Sequence, residues 1–197
     1  MLDFAKEARE ENVLFHRFLP SETILLGNQA LVIESDGNHW HFKPDYQGET
    51  AVKEHRGDLY AINYRYMRQQ IGFSDLLTYT ADALPGRFFR LGFHAEMTIC
   101  VSHLQGLFPL MKGREKMSLL EALSELREIL QRAAAQAVIH VTGEEPTWEN
   151  LRLQAGAIQE SAEDLLFPLL FVNGLCLMPR SLTIKGFAEP RLTSETT

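Results

Sequence analysis

Between Ser118 and Phe187 two amphipathic helical patterns follow one another and run into a strand-like tail, which commits this part of the chain to packing helices against something. From Leu119 the apolar residues fall at Leu119, Leu123, Leu126, Leu130, Ala133, Ala137 and Val141, in steps of four and three that alternate as far as Ala137. Glu121, Glu125, Glu128 and Arg132 line the opposite stripe and stay wet. The second pattern keeps the same rule at Trp148, Leu151, Ala155, Ile158, Ala162, Leu165, Leu169 and Val172. Such seams meet the chain's own sheet, a neighbouring subunit, or both. The small residues Ala155, Gly156, Ala157 and Ala162 would admit a second helix closely, so Trp148, Leu151, Ala155, Ile158, Ala162 and Leu165 are the candidate interaction residues.

Both helices carry end signals. Ser118 with Glu121 forms a capping-box pair, in which hydroxyl and carboxylate each satisfy a backbone N–H left orphaned at the helix start. Thr147, after Pro146, opens the second helix, and Asn173-Gly174 closes it, because these residues tolerate the left-handed backbone that ends a helix. Pro168 lies within the last turns and removes one ladder bond, which predicts a kink near Asp164.

Upstream the pattern is extended. Residues 2–11 read as a short helix, Val13 to Phe18 and Thr23 to Ile33 as strands, and Asp36-Gly37 as a tight turn joining Ile33 to His39-Trp40-His41-Phe42 in a hairpin. Pro44 to Gly57 is turn-rich, and Leu59 to Met67 alternates as a half-buried strand with Tyr60, Ile62, Tyr64 and Tyr66 on one face. Residues 70–87 are ambiguous up to the stop signal Pro85-Gly86. Phe88 to Val101 is again strand-like, His103 to Lys116 reads as a Gly- and Pro-punctuated connection, and Leu175 to Phe187 as a last strand. Strands, two helices and a closing strand predict an α+β fold, with a mixed, mainly antiparallel sheet from the N-terminal half and a C-terminal strand, and the two long consecutive helices packed on it. The domain reading is a short N-terminal helix at 1–12, one body at 13–187 and a flexible tail at 188–197.

A chain of 197 residues with a net charge of −7 excludes polyanion binding as a working idea, since the basic stretch Lys112 to Lys116 is short and nucleic-acid partners need clustered Lys and Arg. There is no apolar run of spanning length, and the first residues lack the apolar core of a secretion signal, so the chain is expected in the cytoplasm. Cys100 and Cys176 sit among apolar neighbours and read as reduced structural thiols.

In this order the chain resembles the SPFH class, the stomatins, prohibitins and flotillins, and in particular its soluble bacterial virion-core-protein-like branch. Ile24 to Ile33 with Asp36-Gly37 is similar to the family's opening strand pair. Phe88 to Ile99, with Gly92 followed by alternating apolar positions, is similar to the strand before its helical part. Gly113 to Val141 and Thr147 to Gly174 match its two helices, and Asn173-Gly174-Leu175-Cys176-Leu177 resembles its helix-to-strand exit, with Ile184 in the closing strand. The chain departs from the family in showing no membrane hairpin before the first strand and no long coiled coil after Phe187. The resemblance implies a non-catalytic scaffold, without a cofactor, that self-associates or docks protein partners and reaches a membrane only peripherally through them.

Competing readings come from single features. His39-x-His41 places two imidazoles on one face of a strand, where they could grip a metal with His94 and Glu96 as further ligands, in the manner of a cupin-like protein or enzyme. The alternative for the same residues is a wet polar face opposite Trp40. The strand Tyr60 to Tyr66 could serve a small adaptor. Arg56-Gly57-Asp58 matches an adhesion tripeptide that recurs by chance. Asp45, Glu49 and Glu54 lie in a turn-rich stretch where paired-carboxylate chemistry is indistinguishable from a solvated loop. Phosphate loops, nucleophile elbows, Cys-x-x-Cys and His-Glu-x-x-His are absent from the sequence.

Overall fold

A computed structural model describes residues 1–36, 39–53, 56–80, 88–143, 147–188 and 191–192. In chain order, β1 (Leu2–Asp3) leads into α1 (Phe4–Glu10), followed by β2 (Val13–Phe18), β3 (Thr23–Leu25), β4 (Ala30–Ser35), β5 (Trp40–Phe42), β6 (Glu49–Ala51) and β7 (Asp58–Asn63). Two long strands come next, β8 (Met67–Thr80) and β9 (Phe88–Val101), and then α2 (Leu104–Met111) and β10 (Lys116–Ser118). The helices α3 (Leu119–Glu125), α4 (Arg127–Thr142), α5 (Trp148–Leu153) and α6 (Ala155–Val172) precede β11 (Leu175–Leu177), β12 (Thr183–Phe187) and β13 (Arg191–Leu192). The fold is mixed α+β with mainly antiparallel sheets, as the order of elements predicts.

The chain divides into two compact units, the first made of Met1–Met67, Cys100–Glu125 and Asn173–Leu175, the second of Arg68–Ile99, Leu126–Val172 and Cys176–Thr197. In the first, a five-stranded sheet runs in the order β10-β2-β7-β4-β5, beside a three-stranded sheet β1-β3-β6. Strand β7 sits at the centre, antiparallel to both β2 and β4, with Ala61 opposite His16 on one side and Val32 on the other. Its residues Leu59 to Asn63 are buried on both faces, so the expected half-exposed alternation does not hold. A central strand covered on both sides carries apolar residues at successive positions, and here small Ala61 alternates with large Tyr60 and Ile62. Tyr60 packs edge-on against Phe15, its ring centroid 6.1 Å away, whereas Tyr66 lies beyond the strand and is exposed.

The expected strand Thr23 to Ile33 is two strands, β3 and β4, in different sheets. The chain turns between them at Gly27-Asn28-Gln29, with the Ala30 N–H donating to the Gly27 carbonyl at 3.0 Å. Helix α1 belongs to this unit: Phe4 and Ala8 join Val13, Phe18 and Ile24 in its core. Asp3 caps it by accepting from the Lys6 N–H at 2.9 Å. On its outer side, Glu7 meets His16 Nδ1 at 2.9 Å and the Lys116 ammonium at 3.0 Å, and Lys116 also reaches Glu11 at 2.8 Å. Partial burial pushes the Glu7 carboxyl up, but its hydrogen bonds with His16 and Lys116 outweigh that and hold it below its ordinary value.

The stretch expected as a connection, His103 to Lys116, contains helix α2. Pro109 lies inside it and removes one backbone bond, which buried Leu107, Leu110 and Met111 and a side-chain cap at His103 offset, the latter accepting from the Gly106 N–H at 3.0 Å. Phe108 packs edge-on against Trp40 of β5, with centroids 4.6 Å apart.

In the second unit β8, β12 and β13 all pair with β9. Leu91, Phe93, Ala95, Met97 and Ile99 of β9 are buried, while His94, Glu96 and Thr98 alternate with them on the less buried side, a fuller alternation than the partial one expected for this strand. The ambiguous residues 70–80 are strand; 81–87, with Pro85-Gly86, lie outside the described residues. The closing strand is also split, with a turn between β11 and β12. Of the expected tail 188–197, the Ala188 N–H donates to the Gly92 carbonyl at 2.8 Å and β13 pairs with β9, while 189–190 and 193–197 lie outside the described residues.

Each long helix is interrupted once, at Leu126 and at Gln154. The predicted caps are present: the Ser118 N–H donates to Glu121 at 2.7 Å, the Glu121 N–H returns to the Ser118 hydroxyl at 3.3 Å, and Thr147 accepts from the Asn150 N–H at 3.2 Å. α6 runs unbroken through Pro168 to Val172. Gly174 then takes φ +78, and a Cβ there would lie 2.4 Å from the Leu107 nitrogen and 2.6 Å from the His103 carbonyl oxygen. Strain and collision act together, so Gly174→Ala is expected to cost roughly 2–3 kcal/mol in urea unfolding, and a variant within experimental error of the parent would contradict this placement.

Candidate functional site

The candidate interaction residues lie in the second unit, on α5 and α6. Leu151, Ile158 and Ala162 are fully buried, Trp148, Ala155 and Leu165 partly so. Leu151, Ile158 and Ala162 therefore belong to the core of the unit, with the other three at its margin. α6 packs on α4, and the buried residues of α4 are mostly small, Ala133, Ala134 and Ala137 with Leu130 and Val138, which lets the bulk of Ile158, Leu166 and Leu170 come close. Trp148 packs edge-on against Phe187 of β12, which packs on Phe93, which packs on Phe73, in a row of rings with centroids 6.2, 6.2 and 5.0 Å apart. α6 also holds the end of the sheet through polar contacts. Gln159 accepts from the Ile184 N–H at 3.1 Å, and Glu163 accepts from the Leu182 N–H at 3.2 Å and from the Arg180 N–H.

The inward stripe departs from the predicted seam after Ala162. Burial continues at Leu166 and Leu170, while Leu165 and Leu169 are only partly covered and Val172 is 66% exposed. This leaves an outward stripe that periodicity alone did not single out. On α6, Glu160 and Asp164 are exposed, and Phe167, Pro168, Phe171 and Val172 follow on the same side. Phe167 and Phe171 stack with centroids 6.0 Å apart and planes 15° from parallel. The stripe is acidic in its middle and apolar at its C-terminal end, and α6 contains no Lys, Arg or His.

The proposed metal ligands are spread over two units. His39 and His41 belong to the first, where the β4–β5 hairpin pairs Glu34 with His41 and Ser35 with Trp40; both histidines are exposed, and the turn residue Gly37 lies outside the described residues. The His39 ring stands 3.4 Å from the Asp36 carboxylate. His94 and Glu96 lie on β9 in the second unit, and Glu96 is engaged by Lys185 at 3.4 Å and Arg68 at 3.7 Å. Among the described residues no three His, Cys, Asp or Glu side chains group as metal ligands. Cys100 and Cys176 are not joined in a disulfide, and each is partly buried.

The hairpin borders a charged cavity of about 560 Å³, lined among others by Glu34, His41, Lys43, Lys53 and Arg56. Its organising group is Glu34. The Lys43 ammonium pairs with this carboxylate, and the Arg56 and Gly57 N–H groups donate to it at 2.9 and 3.1 Å. Gly57, the middle of the Arg-Gly-Asp tripeptide, is required because a Cβ would sit 2.1 Å from the Ser35 carbonyl oxygen. The tripeptide therefore has a structural reason here, and its Asp58 pairs with Arg17 at 3.5 Å. Neither this cluster nor the Glu7–His16–Lys116 group carries a local sequence signal, since their members are far apart in the chain.

Lys43 first, and then the two backbone donors, hold the Glu34 carboxyl at about 2, against an ordinary 4.5. The folded state thus favours the ionised form, and the stability this contributes is complete above pH 4.5 and lost as pH falls toward about 2. Glu34→Gln keeps the acceptor and removes the charge, so the gap in urea midpoint between parent and variant should narrow across that window; a gap constant with pH would refute the assignment. No family model matches this chain, and no curated protein matches its sequence, so its functional reading rests on the geometry.

Proposed function

We propose that this chain is a non-catalytic scaffold or interaction protein, of the SPFH kind its element order resembles, which self-associates through the outward stripe of α6. The observation that carries this reading is the exposed apolar end of that helix, Phe167, Pro168, Phe171 and Val172, on a helix whose opposite side is already satisfied by the core. Contiguous exposed aromatics on a helix that needs no further covering for its own fold are characteristic of contact surfaces. Polarity sets the geometry. A two-fold crossing centred near Phe171 would place the apolar ends of two helices together and carry Glu160 and Asp164 of each copy away from those of the other, avoiding like-charge contact.

Size sets the strength. An 18-residue helix is about 27 Å long, so a contact one helix wide buries less than the ~800 Å² per partner of a standard stable interface. The association is accordingly weak and concentration-dependent. Among the described residues no helix is long and apolar enough to cross a membrane. The proposal puts the chain in the cytoplasm, in keeping with two cysteines that form no disulfide, with membrane association only peripheral and through partners, and with no role for nucleic acid.

Light scattering over a concentration series tests the proposal. The mass should climb from 22.4 kDa toward twice that value, independently of added chelator. Phe167→Glu with Phe171→Glu should hold it at 22.4 kDa with an unchanged circular dichroism spectrum. A parent that stays monomeric at every concentration, or a chelator-sensitive dimer, would reject the reading.

A further inference from the structure

A cavity of about 520 Å³ opens in the first unit between α1, the turn before β4 and the chain just beyond β7. Its floor is apolar, from Phe4, Ala5, Ala8 and Ala30; its rim carries Arg9, Arg65, Asn28 and Gln29. Among the described residues no carboxylate lines it. The chain has 26 acidic and 19 basic residues, yet the described lining of this cavity holds two arginines and no acid. Arg9 spends one N–H, its Nε donating to the Ala5 carbonyl at 3.2 Å, and its remaining guanidinium makes no ion pair among the described residues. The partly buried side chain of Arg65 makes neither a hydrogen bond nor an ion pair among the described residues.

The walls are fixed before any ligand arrives. Asn63 is buried, its Nδ2 donating to the Val13 carbonyl at 2.8 Å and its Oδ1 accepting from the Arg65 N–H at 3.0 Å, which ties the backbone carrying Arg65 to the chain after α1. The Tyr64 N–H donates to the Gln29 carbonyl at 2.8 Å, fastening the opposite wall. Such a site loses little ordering entropy on binding.

We propose that this cavity binds a small organic anion, a carboxylate or phosphate held by Arg9 and Arg65 with its apolar body against Ala5, Ala8 and Ala30. Guanidinium groups present a fork of donors that matches the paired oxygens of both anions. The volume falls within the range of small-molecule sites. The apolar floor gives a body-bearing anion an advantage over a bare inorganic one, since only the former removes that surface from water. The site lies entirely within the first unit and is independent of α6.

Isothermal titration with benzoate, phenyl phosphate, inorganic phosphate and benzyl alcohol tests this. At least one of the two aromatic anions should bind with a Kd of about 1 mM or tighter, inorganic phosphate more weakly and benzyl alcohol not at all; the stronger of the aromatic pair identifies the anionic group. Arg65→Gln should weaken that binding about tenfold or more, and Arg65→Lys by less, because an ammonium keeps the charge and loses the fork. Arg9→Gln, at an exposed position, supplies a second variant whose melting temperature should match the parent's while its affinity falls. The proposal is overturned if neither aromatic anion binds at about 5 mM, if benzyl alcohol binds as well as they do, or if both glutamine variants keep the parent's affinity.

Discussion

Strand β9 is the constraint on which most of the second unit depends. β8, β12 and β13 each take β9 as their pairing partner, so the position of every one is referred to a single segment of chain. Its apolar face, Leu91, Phe93, Ala95, Met97 and Ile99, cannot slip by one residue without turning the whole set to the less buried side. Gly92 adds a second lock, because the Phe73 carbonyl oxygen lies 2.5 Å from where its Cβ would be, so only a glycine allows β8 to approach this closely. Glu163 and Gln159 of α6 then cover N–H groups at and before β12, leaving fewer open donors along that strand.

Features written into neighbouring residues were legible in the sequence. The limits of β2 and β9, the capping box at Ser118 and Glu121, the Thr147 cap and the Gly174 stop all follow from short-range chemistry. Features set by distant residues were not. Leu59 to Asn63 read as half-buried because alternation says nothing about a second covering layer, and the central position of β7 depends on β2 and β4. Helix α2 was hidden by Gly106 and Pro109, two residues that usually mark a loop, and is held by burial of Leu107, Leu110 and Met111. The charge clusters around Glu34 and Glu7 join residues more than twenty and one hundred positions apart, as Glu34 with Gly57 and Glu7 with Lys116.

The departure of α6 from its predicted seam has a geometric cause. A strict alternation of three and four describes a helix wound to 3.5 residues per turn, whereas a straight helix has 3.6 and drifts by about 20° per heptad. Within α6 the buried positions Ile158, Ala162, Leu166 and Leu170 run in steps of four, so this drift supplies part of the shift from Leu165 and Leu169, and the break at Gln154 separates the register of α5 from that of α6. A coiled-coil partner would have bent the helix to keep the seam; packing on α4 does not. The same rotation carries Phe167, Phe171 and Val172 outward, and it is why the surface proposed for self-association lies beside the predicted interface instead of on it.

Neither unit is written as one continuous stretch. The path passes from one to the other after Met67, Ile99, Glu125, Val172 and Leu175. A ribosome must therefore deliver residue 175 before the first unit has all its pieces, and must go further still for the second. Early strands such as β2 and β7 emerge long before β10, so nascent chains spend most of their synthesis with unfinished sheet edges, a period in which chaperone capture is most useful. Gene fragments ending before residue 175 would encode neither half whole, which makes the interleaved path a reason for this stretch to be inherited as one block.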